Sequence, residues 1–293
     1  LSFSTAPGAP LFPDPAPRGV GGPPLAAIQL ALAAQASGHT VALVDMDLQT
    51  GDIASYLDVQ FRRSLVDLAL IADISPRVLA DAVFSHSTGL ALLLAPGEGE
   101  RGEEVSDRSS RQIVSALRSR YEIVVIDCGG QMNGANAAAI EMADTALLVT
   151  TPDVIAVRGA KRIVRMWERL QIRKAEETVT LVNRYTRNTE IQPPLIQKIT
   201  GTRVASAAVP ANFKELQASI DSGRLHELDA RSTVKQALWG LAGELGIVKP
   251  GAAARKGGGV LAKRNGGSPK NDRGPIGRPR RRRGGPAEAE GTR

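Results

Sequence analysis

The sequence predicts an α/β protein with a doubly wound, mostly parallel sheet covered by helices on both faces. Two observations carry that prediction. Short aliphatic runs recur along the chain, at Val41 to Val44, Leu90 to Leu94, Ile123 to Ile126, Ala146 to Val149, Val179 to Val182 and, more weakly, Arg203 to Val209. Runs apolar on both faces are the pattern of buried parallel strands. Between them lie segments with helical spacing, Leu25 to Ala36, Glu104 to Arg120, Asn133 to Ala143, Val157 to Leu170, Glu190 to Thr200 and Ser232 to Gly246. Several open on Ser, Asn or Pro and close on Gly, as helices do, and repeated strand-helix alternation gives a sheet wound in both directions.

In chain order the N-terminus comes first. Leu1 to Thr5 is the one candidate for a strand preceding the first helix, and the 13 residues from Ala6 to Arg18 include Pro7, Pro10, Pro13, Pro15 and Pro17. Such a stretch favours extended or irregular backbone, so residues 1–18 read as a Pro-rich lead-in carrying a remnant of the first strand. A first residue that is Leu rather than Met predicts a fragment, a processed form or a misassigned start. Residues 19–248 form the expected nucleotide-binding domain. Residues 249–293 hold 13 Lys and Arg against three acids, a net of +10 that leaves −3 for the remainder of a chain of net charge +7. This Gly-, Pro- and Arg-rich tail has too few apolar residues to offset the entropy of ordering and is expected to be disordered.

Composition excludes several classes. One cysteine, Cys128, and three scattered histidines, His39, His86 and His226, allow neither a disulfide framework nor a cysteine-based zinc site, and point to a reducing, cytoplasmic setting. No apolar run approaches the ~18 residues of a membrane span. The tail run RPRRRRG can neutralise phosphates on nucleic acid or anionic lipid in a sequence-independent, salt-sensitive way; without aromatic residues it cannot stack bases, and without an apolar stripe it cannot lie in a membrane as an amphipathic helix.

The segment PRGVGGPPL, Pro17 to Leu25, stands where a phosphate-binding loop opens the first helix, and offers Gly19, Gly21 and Gly22 as phosphate contacts. A working loop of this kind adds a lysine on the β/γ phosphates and a Ser/Thr hydroxyl on Mg²⁺. Here Gly22, Pro23 and Pro24 occupy those places, and proline has no N–H to donate to a phosphate. Two acids end apolar strands. Asp45, followed by Asp47, lies at the carboxyl edge where doubly wound sheets bind ligands, and Asp127 ends YEIVVID in the manner of a Walker B aspartate, which holds Mg²⁺ through water. Strand-end acids can also simply cap turns. On the helix from Val154 to Leu170, Val157, Ile163, Val164 and Leu170 fall on one side, with Arg158, Lys161, Arg162, Arg165 and Arg169 around the other. That basic side is either a solvated face or a surface for a partner or an anion.

Five blocks in order, VALVDMDLQTGDIASYLDV, IVVIDCGG, LLVTTPDVIAVRGAKRIVRMW, LVNRY and RSTVKQALWGLAGEL, resemble the MinD/ParA group of deviant Walker ATPases, and within it the CpaE/TadZ-like branch of pilus-assembly and septum-site proteins. The resemblance covers roughly residues 19–248. It implies ATP and Mg²⁺ as cofactors, a homodimer with nucleotide between subunits, and protein partners in a pilus or division machine. It further implies a cytoplasmic protein recruited to the membrane or a cell pole. By position, Asp45 and Asp47 match the family's first switch, Asp47 orienting the attacking water; Asp127 matches Walker B; and Asn183 and Arg184 match residues that contact adenine. The family's K-G-G-x-G-K-[ST]-T loop falls on Pro17 to Pro24, which departs from it at the lysine and the hydroxyl, as the branch often does. The loop after Asp127 also departs, with Gly129 at the proline place and Gln131 at the glycine place. Three functions remain open at this point: a nucleotide switch with weakened or absent hydrolysis, a scaffold of the same fold that acts through protein contacts without nucleotide, and a dinucleotide-binding enzyme using Gly19, Gly21 and Asp45.

Overall fold

The computed structural model describes residues 2–5 and 22–249. Its strands are β1 (Ser2–Thr5), β2 (Val41–Asp45), β3 (Phe84–Ser85), β4 (Ala91–Leu93), β5 (Ile123–Asp127), β6 (Ala146–Thr150), β7 (Thr178–Val182) and β8 (Arg203–Val204), in one sheet of order β3-β4-β2-β5-β1-β6-β7-β8. Every pairing is parallel except β3 with β4. The helices are α1 (Pro23–Ala36), α2 (Ile53–Tyr56), α3 (Leu65–Ala69), α4 (Pro76–Ala82), α5 (Asp107–Arg120), α6 (Gly134–Met142), α7 (Val154–Arg169), α8 (Pro193–Thr200), α9 (Phe213–Asp221) and α10 (Thr233–Glu244). None of them is long and apolar enough to cross a membrane.

The sheet explains the double-sided apolar runs. Alternate residues of one strand enter opposite cores: Val41 and Leu43 of β2 join α1 and α10 on one face, while Ala42 and Val44 join α5, α6 and α7 on the other. Residues Leu147 and Val149, against Ala146 and Leu148, divide β6 in the same way. Helix α1 is buried nearly all round because it lies between the sheet and α10. Its one buried polar side chain, Gln29, donates Nε2–H to the Leu225 carbonyl at 2.9 Å and accepts from Trp239 Nε1–H at 3.1 Å, so the burial leaves its amide satisfied.

Four features bear out, correct or lie beyond the sequence reading. Ser2–Thr5 forms a strand between β5 and β6, in the middle of the sheet. The expected strand over Arg203 to Val209 is regular only at Arg203–Val204; beyond it Ala205 and Val209 still donate to β7 carbonyls, but at an irregular spacing that interrupts the ladder. The helices α2, α3, α4 and α9 fill segments left unassigned above. The Pro-rich segment after Thr5, with Gly19 and Gly21, lies outside the described residues, as does the basic tail beyond Lys249.

Candidate functional site

The carboxyl edge of the sheet is built from strand ends. Because β2 and β5 run in parallel register, Asp45 stands opposite Asp127, and both are buried to 1% exposure. Asp45 is held by backbone: Oδ1 accepts the Asp47 N–H at 3.1 Å and Oδ2 accepts the Ile53 N–H at 3.1 Å. It thereby ties the loop 46–52 to the first residue of α2. Asp127 Oδ1 accepts the Gly129 N–H at 2.9 Å, and the Asp127 carbonyl accepts the Met46 N–H at 2.7 Å, joining the two loops across the strand ends.

Asp47 sits between those loops. Its Oδ2 accepts the Thr50 hydroxyl at 2.8 Å and its Oδ1 accepts the Thr50 N–H at 3.4 Å. Gly129, at φ +59°, is where the second loop passes beneath it: a Cβ there would lie 2.5 Å from Asp47 Cγ and Oδ2. Gly51 has a comparable constraint, since its Cβ would lie 2.5 Å from Ala95 Cβ. Both positions need glycine because side chain and backbone approach too closely for any other residue.

Burial sets the electrostatics. Loss of hydration pushes Asp127 up to about 7 against the ordinary 3.8, with the charges of Asp47 and Asp52 adding to it and the Gly129 amide opposing it. Asp45 is raised as well, first by burial and next by the Asp127 charge. Asp52 is raised by burial and by Asp47, and the Tyr56 phenol moves up to about 12 by burial, Asp52 and Asp127. Four acids thus share one edge, and among the described residues no basic side chain pairs with them, an arrangement that a divalent cation would relieve. Among the described residues no three acidic, His or Cys side chains converge closely enough to enclose a metal ion. A cation held by Asp127 through water fits this geometry; a cage of direct protein ligands does not.

The other half of the edge belongs to α1. Gly22 caps the helix without a side-chain hydrogen bond, Pro23 and Pro24 follow, and the first helical amide is that of Leu25. A helix N-terminus that binds phosphate does so through its leading N–H groups, and two of these are missing here. The described part of the loop therefore does not fit a triphosphate. Gly22, Leu25 and Ala26 line a narrow crevice with Val149, Leu181, Asn183 and Val209. Asn183 donates its N–H to the Thr150 carbonyl at 2.8 Å, and its Oδ1 accepts the Arg184 N–H at 2.9 Å, which holds Arg184 at φ +54°.

The structure brings Asp45, Asp47 and Asp127 together, and places Gly22 and Asn183 on one crevice farther along the same edge. Arg184 is exposed at the start of the following loop. The sequence reading missed Thr50, Gly51 and the structural part of Gly129. A signal for Thr50 and Gly51 existed: D-L-Q-T-G-D compresses a turn between the end of β2 and a helix start, and a short polar residue and a glycine close such a turn.

An AAA domain family model matches residues 18–180, more than half of the chain. The septum site-determining protein MinD of Bacillus subtilis (strain 168) is 29% identical over 150 residues, covering 50% of this chain and 54% of that protein. The MinD of Synechocystis sp. is 25% identical over 161 residues, covering 55% of this chain and 56% of that one. The chain thus spans just over half the length of the curated relatives it matches. Among solved structures, a ParA family ATPase from Chlorobium tepidum TLS superposes with a TM-score of 0.70 at 22% identity, covering 82% of this chain and 97% of that one. Septum site-determining protein MinD from Pyrococcus horikoshii OT3, complexed with Mg-ADP, gives 0.67 at 21% identity, covering 83% and 95%. With the strand order, the paired strand-end acids and the helix that follows the glycine segment, these similarities lead to one conclusion: the chain belongs to the AAA domain family and has the MinD/ParA-type P-loop NTPase fold.

Proposed function

We propose that the chain is a MinD/ParA-like switch protein of the CpaE/TadZ-like branch, which marks a cellular position for a division or pilus-assembly machine and acts as a homodimer. The observation that carries this reading is the pairing of Asp45 with Asp127 at adjacent strand ends, with Asp47 directly over the Gly129 turn. Asp45 fixes the loop that bears Asp47 by accepting the Asp47 amide and that of Ile53, which opens α2. In this reading Asp127 would take Mg²⁺ through water, and Asp47 would orient a water molecule. When bound, the cation would supply charge neutralisation at an edge where burial and neighbouring charge disfavour the carboxylates of Asp45, Asp52 and Asp127. In this reading Asn183 and Arg184, with Gly22, would form the other end of a nucleotide site; Gly19 and Gly21, which the same reading assigns to the phosphates, lie outside the described residues.

A second reading is favoured by one specific observation, the absence of amide donors at Pro23 and Pro24. In it the same fold is a scaffold that no longer binds nucleotide and works through protein contacts. A dinucleotide enzyme is not carried forward, because both Asp45 oxygens already accept amides of the chain. The CpaE/TadZ-like loop fits either remaining reading. Calorimetric titration with Mg²⁺·ATP, on this chain and on Asp127→Ala, separates them. Micromolar binding that disappears in the variant supports the switch; no heat at millimolar ATP overturns it in favour of the scaffold.

A further inference from the structure

Helix α7 carries a surface that the nucleotide edge does not use. Ile155, Arg158, Arg162, Arg165 and Arg169 are all exposed. Their spacing of three, four, three and four places them within an arc of about 80° on a helix turning ~100° per residue, along about 21 Å of its length. That spacing is the seam by which one helix packs lengthwise on another, yet on α7 this seam faces outward, while Val157, Ile163, Val164 and Trp167 fill the core. Among the described residues none of the four arginines makes an ion pair or a side-chain hydrogen bond. Arginines elsewhere do pair: Arg111 with Glu141, Arg118 with Asp144 and Arg203 with Glu244. The α7 seam therefore keeps its guanidinium groups available. Large apolar side chains mark its two ends, Val154 at 52% and Ile155 at 55% exposure near the start, and Leu170 at 55% just after the last turn.

We infer that this seam docks an acidic, amphipathic helix of a protein partner. Three observations select that occupant. The three-four spacing matches a helix laid alongside, whose facing carboxylates would each meet a guanidinium in the two-pronged geometry arginine favours. The exposed apolar residues at both ends need apolar side chains opposite them, which a nucleic acid backbone does not offer. The chain outside the basic tail is net −3, so it provides no broad positive field for a polyanion, and the apolar residues are too few and too separated for a helix lying in a membrane.

The test uses the full chain and a synthetic helical peptide of about 20 residues, long enough to span the seam at ~1.5 Å per residue. One face of the peptide bears glutamates at three-four spacing with leucines at its ends. Controls are a scrambled peptide of the same composition, a duplex DNA of similar length and phosphatidylserine/phosphatidylcholine vesicles. Binding is read by fluorescence anisotropy, or by cosedimentation for vesicles, at physiological salt. The basic tail attracts both peptides alike, so pattern preference reports the seam. The patterned peptide is expected to bind about tenfold tighter than the scrambled one, and R162E/R165E to abolish that preference with an unchanged melting curve. A lysine-for-glutamate peptide is expected to regain the preference on the same variant. Equal binding of the two acidic peptides overturns the inference. So does charge reversal that weakens DNA or vesicle binding while leaving the peptide preference intact.

Discussion

The two halves of the carboxyl edge contrast in how they are built. On the β2/β5 side each acid is braced by amides of its own chain, Asp45 by Asp47 and Ile53, Asp127 by Gly129, and two glycines permit the close approach of the loops. On the α1 side, where a phosphate site needs donors, the helix starts with a glycine and two prolines and presents few. The acidic half is closed by its own backbone amides, while the described part of the donor half, Gly22 to Pro24, starts a helix without offering the amides of its first two residues. The fold accommodates this because α1 is anchored by its buried apolar surface and by Gln29, not by contacts its N-terminus makes with a ligand. The packing that holds α1 on the sheet is thus separable from the amide donors at the helix start.

The strongest way to break the contrast is to disturb the acidic half. Gly129→Ala places a methyl group against the Asp47 carboxylate and forces a left-handed φ on alanine, so a loss of about 2–4 kcal/mol is expected in denaturant unfolding. A loss below ~0.5 kcal/mol, the range of ordinary surface substitutions, would mean that the two loops do not interlock as described. The next effect is pH-dependent. The folded protein holds the Asp127 proton up to about 7, whereas the unfolded chain releases it near the ordinary 3.8. This acid therefore favours the folded state below its unfolded value, and that support is lost as pH rises through the window to about 7. Asp127→Asn, which keeps an oxygen for the Gly129 amide, is expected to match the wild type in acid and to exceed it by about 1–3 kcal/mol above neutrality, as followed by thermal unfolding across pH. A constant difference at all pH values would remove burial as the cause.

The smallest expected effect sharpens the comparison from the other side. Replacing Gly22 by Lys and Pro23 by Thr returns the missing ammonium and hydroxyl to their family positions. ATP affinity should rise about tenfold, near 1.4 kcal/mol, while the melting temperature stays close to that of the wild type. Calorimetry with ATP checks the first and a thermal melt the second; a large loss of stability would show that the prolines, and not the α1 core, hold the helix start in place.

Much of this architecture was legible in the chain itself. The aliphatic runs marked β2, β5, β6 and β7 nearly to the residue, since strands buried on both faces leave no polar alternation to confuse them. Asp45 and Asp127 were legible as strand-end acids, and their adjacency follows once the two strands pair in register. The short helices were not. α2 and α3 have four and five residues, too few for a helical repeat to emerge, although Ser64 with Asp67 forms a capping box and Ser75 before Pro76 is a helix start by its chemistry. Helix α9 was passed over because it buries only Leu216 along its length. The interlock of Asp47, Thr50 and Gly129 depends on two loops far apart in sequence, and no local pattern encodes that meeting.

The place of β1 has a consequence for how the molecule assembles. In chain order Ser2–Thr5 precedes both strands that flank it, which begin only at Ile123 and Ala146. Strand β1 must wait unpaired until both of its neighbours have been made, then close the gap between β5 and β6, the kind of non-local step that slows folding. Until that moment the nascent sheet has two inner edges open to other chains.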